Sequence, residues 1–203
     1  MPTQDATHHL AAADPVLASI MASVPLPTLE STGNVFHDLV GCVVEQQIHY
    51  RSTKHTYQRM LDRAGIATLT AYTFPAFEAN GLRTTKLSMR KYETLLAVVE
   101  HFSTHDHDWR TLTDAEVRRI LGGIRGIGAW TIDMIMLYTL ERPDVFPADD
   151  YHLKQLMPGL YDLNPSSRLK AQMNDVAADW APYRSVATRY LLAWKTAQQR
   201  LPV

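Results

Sequence analysis

The stretch Gly123-Ile124-Arg125-Gly126-Ile127-Gly128 lies directly between two helical runs, and it decides how the chain is interpreted. Glycine at positions 126 and 128 permits positive φ angles and close approach of a ligand to the main chain. The next helix presents unpaired N–H groups and the positive end of its dipole. We therefore predict two helices joined by a glycine hairpin over roughly residues 114–140, with a cradle for one phosphate at the turn. An ordinary helix–helix turn ended by glycine is the alternative.

Apolar residues recur with helical spacing on both sides of this hairpin. Asp14 and Pro15 form an N-cap followed by proline at the first helical position, and Thr113 with Glu116 forms a capping box. Helices are expected at about 15–22, 35–47, 52–64, 73–79, 88–102, 114–121, 129–140, 151–157, 166–180 and 183–199. Only short runs suit strands, so the sequence predicts an all-α fold.

The composition excludes several classes of protein. The 203 residues carry a formal net charge of −1, so a nucleic-acid surface has to be a local basic patch. A single cysteine, Cys42, excludes internal disulfides and cysteine-based zinc or iron–sulfur sites, and is typical of a reducing cytoplasm. We find no signal peptide and no membrane-span pattern, and we expect residues 1–12 to be a flexible lead-in.

The acidic pair Asp149-Asp150 follows the second helix of the hairpin. Its carboxylates would stand close to whatever molecule carries the bound phosphate. A hairpin that binds phosphate through its main chain, coupled to an acid, indicates an enzyme that acts on nucleic acid.

The hairpin and several flanking segments resemble a known family. The segments are Ile124-Arg125-Gly126-Ile127-Gly128-Ala129-Trp130-Thr131, Asp144-Val145-Phe146-Pro147-Ala148-Asp149-Asp150-Tyr151, Phe36-His37-Asp38-Leu39-Val40, Glu45-Gln46-Gln47-Ile48, Gly81-Leu82 with Arg90-Lys91, and Trp180-Ala181-Pro182-Tyr183-Arg184-Ser185. Over about residues 34–194 the chain resembles the helix–hairpin–helix DNA glycosylases, and within them the AlkA-type 3-methyladenine DNA glycosylase II branch.

The resemblance implies a two-lobed helical bundle with the active site in the cleft between the lobes. Larger members of the family carry an N-terminal β domain, and too few residues precede Asn34 here to form one. We therefore expect a single helical glycosylase core over residues 13–203, without that β domain.

The family's essential aspartate stands at the start of the helix after the hairpin, which corresponds to Asp150 here. A carboxylate there stabilises positive charge on the sugar as the base leaves, and it can orient the attacking water. The alternative is that Asp149 and Asp150 only cap the following helix. We assign the cap to Asp149 and catalysis to Asp150.

The residue at the position of Trp130 distinguishes the branches of the family that cut the DNA backbone from those that do not. In branches that also cut the DNA backbone, a lysine at this position attacks the sugar. The resemblance therefore implies base removal without lyase activity. Trp130 and Tyr151 are expected to stack on the flipped base, and Met134 and Leu192 complete the base pocket at positions where the family has aromatic residues. A place in the core is the alternative for the tryptophan.

Two groups of residues are expected to contact DNA. Gln47, supported by Ile48, would fill the gap left by a flipped nucleotide, although a polar helix terminus is its alternative. The predicted phosphate contacts are Gly126, Gly128, Thr131 and Arg125. Weaker phosphate candidates, each with a solvated surface position as its alternative, are His49, Tyr50, Arg51, Lys54, Arg83, Lys86 and Arg184.

No cofactor is expected to be required. The resemblance implies a structural sodium or potassium ion at the main-chain carbonyls of Gly122, Ile124 and Ile127. The run His105-Asp106-His107-Asp108 lacks the spacing of a zinc site.

These features together favour a monofunctional DNA glycosylase of base excision repair. We expect it to flip alkylated purines such as 3-methyladenine out of double-stranded DNA and to hydrolyse their N-glycosidic bonds. It would act as a monomer in a bacterial cytoplasm, away from membranes. The alternatives are a glycosylase for uracil or an oxidised purine, and a DNA-binding hairpin module without catalysis.

Overall fold

The computed structural model describes residues 4–26, 28, 31–45, 50–84 and 87–198, without the side chains of residues 50–55 and 84. Helices and turns account for these residues, and none of them forms a strand, as the apolar periodicity predicted. The α-helices are α1 (Gln4–Ala13), α2 (Pro15–Ser23), α3 (Val35–Glu45), α4 (Tyr50–Ala64), α5 (Phe74–Asn80), α6 (Met89–Thr104), α7 (Asp114–Gly122), α8 (Ala129–Met134), α9 (Tyr151–Tyr161), α10 (Leu169–Ala178) and α11 (Arg184–Gln198). A 3-10 helix covers Leu82–Thr84, and a π-helix covers Ile135–Thr139.

The chain divides into two compact units. One, here called the terminal unit, combines Met1–Leu29 with Glu141–Val203. The other, the hairpin unit, is the continuous stretch Glu30–Leu140. The glycine hairpin belongs to the hairpin unit, whereas Asp150 belongs to the terminal unit.

The prediction of a flexible lead-in over residues 1–12 is wrong from Gln4 onward, and residues 1–3 lie outside the described residues. Residues from Gln4 onward form α1, which packs against α2 and α11. Ala6 and Leu10 lie one turn apart on the same face and retain only 1% and 0% exposure. Their burial in the core of the terminal unit stabilises a short helix that would be marginal in isolation.

A buried carboxylate organises the terminal unit. Asp14 caps α2 by accepting the N–H of Leu17 at 2.9 Å, as its sequence position predicted. Its second oxygen accepts the Trp180 indole N–H and the Tyr161 hydroxyl, each at 2.8 Å. Trp180 is fully buried, so its indole N–H is shielded from water. Without the Asp14 oxygen this donor would have no acceptor, at a cost of roughly 1–3 kcal/mol.

The hairpin unit is assembled around α3, which packs against α4, α6 and the π-helix. Its apolar face buries Phe36, Leu39, Val40 and Val43, which recur along the sequence with helical spacing. The helix expected over 129–140 begins as an α-helix and changes at Ile135 to a π-helix, in which the Leu140 N–H donates to the Ile135 carbonyl at 2.9 Å. This hydrogen bond joins residues that are five positions apart, so the helix is locally wider than an α-helix, which the apolar periodicity alone does not reveal.

Candidate nucleic-acid interface and active-site residues

The hairpin turn is built on two buried isoleucines. Ile124 and Ile127 retain 4% and 7% exposure, and the Ile127 N–H donates to the Ile124 carbonyl at 3.1 Å. Gly126 between them has φ of +90°, a conformation that favours glycine. A Cβ atom at Gly126 would lie 2.1 Å from the Thr94 hydroxyl oxygen on α6. Glycine is therefore required here both for the backbone conformation and for packing.

Gly128 serves a different purpose. It is the N-cap of α8 with φ of −100°, and no side chain caps the helix. A Cβ atom at this position would meet nothing within 4 Å. The start of α8 at Ala129 is thus open on the side of Gly128, where an anion could approach the first N–H groups of the helix.

The two arginines near the turn, Arg125 and Arg118, have different surroundings. Arg125 is exposed at the tip of the hairpin. Arg118 on α7 instead donates to Asp133 on α8 at 2.7 Å, an ion pair that ties the two hairpin helices together. Thr131 is only 1% exposed, so its side chain is not available to a phosphate, and of that prediction only its main-chain N–H remains.

Asp150 is the N-cap of α9, which corrects the assignment of the cap to Asp149. One carboxylate oxygen of Asp150 accepts the N–H groups of His152 and Leu153 at 2.9 and 3.1 Å. The residue is 5% exposed. Two main-chain hydrogen bonds therefore fix the orientation of a buried carboxylate at the start of a helix, where the dipole favours its negative charge.

Asp149 points to a different set of partners. Its carboxylate pairs with Lys170 at 2.5 Å and with Lys154 at 3.1 Å. The hydrogen bond from Lys170, with a further one from Lys154, holds the pKa of Asp149 below its ordinary value. The two adjacent aspartates are thus distinct, one buried and bound to main chain, the other partly exposed and bound to lysines.

Hydrogen bonds from the start of α11 fix the loop that precedes Asp150. The Arg184 guanidinium donates twice to Asp144, with both distances at 2.6 Å, and holds the pKa of that carboxyl below its ordinary value. The Ser185 hydroxyl donates to the Arg142 carbonyl at 2.5 Å and accepts the Val145 N–H at 2.9 Å. Arg184 is therefore engaged within the terminal unit, and its prediction as a phosphate contact is not supported.

The four residues expected in the base pocket occupy different positions. Trp130 is half-buried in the first turn of α8, and Met134 near its end is 5% exposed. In the terminal unit, Tyr151 is 61% exposed and Leu192 on α11 is half-buried. Their convergence on one base stays a prediction.

Lys195 was missed from the sequence. Its ammonium group donates to the Gln155 side-chain oxygen at 2.8 Å and to the His152 carbonyl at 3.3 Å. It also lies 5.8 Å from the centroid of the Tyr151 ring. Burial lowers the pKa of Lys195, and the charge of Asp150 partly opposes that shift. The only signal in the sequence was the presence of a lysine within the last predicted helix, residues 183–199.

Some predictions lie outside the described residues. They are the wedge residues Gln47 and Ile48 and the phosphate candidates His49 and Lys86, and the side chains of the phosphate candidates Tyr50, Arg51 and Lys54 also lie outside what the structure describes. Within the described part of the chain, no three histidine, cysteine or acidic side chains are grouped to hold a metal ion. In that same part, no helix has the length and hydropathy that crossing a membrane requires.

Comparisons with known proteins agree with the predicted helical fold. No family model matches the chain. DNA-3-methyladenine glycosylase 1 of Schizosaccharomyces pombe is 27% identical over 169 residues, which cover 80% of this chain and 72% of that protein. The crystal structure of a DNA-3-methyladenine glycosidase from Bacillus halodurans matches with a TM-score of 0.75 and 26% identity, over 98% of this chain and 93% of that one.

A second solved structure supports the fold. The Schizosaccharomyces pombe 3-methyladenine DNA glycosylase Mag1, in complex with abasic DNA, matches with a TM-score of 0.79 and 24% identity, over 96% of this chain and 97% of that one. The matches extend over nearly the whole helical architecture rather than the hairpin alone. The chain is therefore similar in sequence and in fold to 3-methyladenine DNA glycosylases, as the resemblance of its hairpin and flanking segments indicated.

Proposed function

We propose that this chain is a monofunctional DNA glycosylase that releases alkylated purines, including 3-methyladenine, from double-stranded DNA. The observation that carries the proposal is Asp150, whose carboxylate is buried and oriented by two main-chain N–H groups at the start of α9. In a plain DNA-binding module the same carboxylate would serve only to cap α9, so its role in base release separates the two functions.

Binding begins at the hairpin. A backbone phosphate would approach the open start of α8 beside Gly128, where the first N–H groups of the helix and its dipole attract it. The exposed Arg125 adds positive charge at the hairpin tip. Because main-chain groups and a phosphate make this contact, affinity depends on salt and little on sequence.

Chemistry follows once the damaged nucleotide is flipped, with Gln47 and Ile48 proposed to fill the gap. The bond between C1′ and the base nitrogen breaks, and the base leaves with the electron pair. The negative charge of Asp150 stabilises the positive charge that develops on the sugar. Water then adds to C1′ and loses one proton, which leaves an abasic site and the free base.

The product follows from Trp130. No lysine is available at this position to form a Schiff base with the sugar. We propose instead that Trp130 offers a ring face to the flipped base. Purines alkylated at N3 or N7 are favoured because they carry positive charge and leave without being protonated first.

We also propose a sodium or potassium ion at the carbonyls of Gly122, Ile124 and Ile127. Main-chain carbonyl oxygens are hard, neutral ligands that suit such a cation. The Ile124 carbonyl already accepts the Ile127 N–H, and its second lone pair can still coordinate a metal. The ion would add positive charge near a bound phosphate. The protein is proposed to act as a cytoplasmic monomer.

The function is tested with duplex DNA that has been methylated at purine nitrogens. Chromatography of the supernatant should detect released 3-methyladenine, and the DNA should break only after alkali is added. Sodium borohydride should trap no covalent protein–DNA adduct. Salt-sensitive binding without any released base would leave only the binding-module alternative, and a trapped adduct would refute the monofunctional assignment.

A further inference from the structure

Tyr151 presents the most exposed aromatic ring next to the candidate catalytic carboxylate. It directly follows Asp150 and is 61% exposed. Its hydroxyl accepts a hydrogen bond from the Gln155 amide, one turn further along α9, at 2.6 Å. The ring is therefore held in place while much of its surface stays open to a ligand.

The Tyr151 ring already has a cation beside it. Lys195 reaches from α11 to the first turn of α9, where the Gln155 oxygen and the His152 carbonyl accept its N–H groups at 2.8 and 3.3 Å. These acceptors hold the ammonium 5.8 Å from the Tyr151 ring centroid. All four residues belong to the terminal unit.

A tyrosine ring next to a lysine ammonium attracts cationic and neutral bases to different extents. A cation–π contact already engages the ring electrons, so the ring attracts a second cation less strongly. A neutral base still gains stacking and dispersion energy from the same ring. The attraction of Tyr151 for a cationic base, which its type alone would suggest, is therefore opposed in this chain.

We propose that Lys195 is a specificity-determining residue that shifts the base range of this enzyme toward neutral purine lesions. The inference rests on the proposed function and on Tyr151 contacting the flipped base. Lys195 need not touch the reacting atoms, since its charge acts through space and through the ring.

The size of the effect follows from Coulomb's law. A base stacked about 3.5 Å beyond the ring would hold its charge within about 9 Å of the Lys195 ammonium. With an effective dielectric constant between about 20 and 40, repulsion at that distance weakens a cationic base by roughly 5- to 20-fold. A neutral base of the same shape escapes this penalty.

The test compares two single lesions in one duplex sequence. 7-Methylguanine is cationic and hypoxanthine is neutral, and single-turnover rates of release give their ratio when the enzyme is kept below saturation, so that binding of the lesion contributes to each rate. Lys195→Gln should raise the ratio of cationic to neutral release by about tenfold. Any change in the field around Asp150 affects both substrates, so it largely cancels in the ratio.

Matched variants separate charge from packing. Lys195→Arg keeps the charge and should keep the ratio within about twofold, whereas Lys195→Met should shift it as Lys195→Gln does. Lys170→Gln removes one positive charge from a lysine that pairs with Asp149 and should leave the ratio unchanged. Far-ultraviolet circular dichroism checks that each variant is folded.

The outcomes are distinct. A ratio that stays within twofold or falls in both neutral variants overturns the proposal, and so does a wild type that releases 7-methylguanine but no detectable hypoxanthine. A folded wild type that releases neither base refutes the proposed function itself.

Discussion

Replacing Asp150 by asparagine removes one negative charge and leaves the helix cap in place. The asparagine oxygen can accept the N–H groups of His152 and Leu153, as the aspartate oxygen does at 2.9 and 3.1 Å. Asparagine and aspartate are about equally good N-caps. The lost attraction between the charge and the dipole of α9 should lower the free energy of unfolding by only about 0.3–1 kcal/mol.

The effect on catalysis should be much larger. Asp150 is 5% exposed, so its charge acts with little screening by water. Removing one preorganised electrostatic stabiliser typically costs about 10²–10³ in rate, or roughly 2.7–4 kcal/mol. We therefore expect Asp150→Asn to fold and to bind DNA nearly as the wild type does, while its single-turnover release of 3-methyladenine falls at least about a hundredfold.

Asp149→Asn is the matched control. It removes the same charge from the adjacent residue but breaks only partly exposed ion pairs with Lys154 and Lys170, worth about 0–1 kcal/mol. Its rate should stay within about threefold of wild type. If Asp149→Asn is inactive and Asp150→Asn retains near-normal release, the catalytic assignment is off by one residue. If neither variant loses activity, no aspartate of this pair is the stabiliser.

Three further predictions concern the glycine hairpin, the Trp130 side chain and the ion pair between Arg184 and Asp144. Gly128→Ala should weaken binding to undamaged duplex in a filter-binding titration, and it should not lower thermal stability because the added Cβ atom meets open space. Gly126→Ala should weaken binding and also lower the melting temperature, because its Cβ atom would collide with Thr94. Unchanged affinity in folded Gly128→Ala would show that the hairpin is not the DNA anchor. Trp130→Ala should reduce release of 3-methyladenine more than it reduces binding to undamaged duplex, and equal losses would argue against a contact with the base. The Arg184 guanidinium lowers the folded-state pKa of Asp144, so their pair stabilises the fold above the unfolded value of about 3.9 and the gain is lost as pH falls through the folded pKa. Chemical denaturation across acidic pH should give Asp144→Asn a flatter stability profile than the wild type, and parallel profiles would contradict the pair's contribution.

The parts of the fold that local rules govern were predictable. The capping box at Thr113 and Glu116 forms as its spacing predicts, and Ser88 caps α6 by accepting the Lys91 N–H. The positive φ of Gly126 likewise follows from the hairpin pattern. In each case the interacting groups are a few residues apart, so the sequence displays them side by side.

The features that were missed depend on contacts between distant parts of the chain. Nothing local distinguishes α1 from a loose terminus until α2 and α11 cover its apolar face. Arg184 resembles any surface arginine until Asp144, forty residues earlier, is placed beside it. The choice between Asp149 and Asp150 as the cap failed for a subtler reason, since both residue types suit the cap and only the helix start decides.

The division of the chain has a consequence for synthesis on the ribosome. The hairpin unit is one continuous stretch, Glu30–Leu140, so it can fold as soon as it leaves the exit tunnel. The first two helices have to wait, because the Asp14 carboxylate meets the indole of Trp180 only after nearly the whole chain has emerged. A nascent or prematurely terminated chain would then hold a folded glycine hairpin without the folded terminal unit that carries Asp150. Ribosome-stalled chains that end shortly before Trp180 keep their last residues inside the tunnel while most of the hairpin unit is outside it, and they offer a way to observe that order directly.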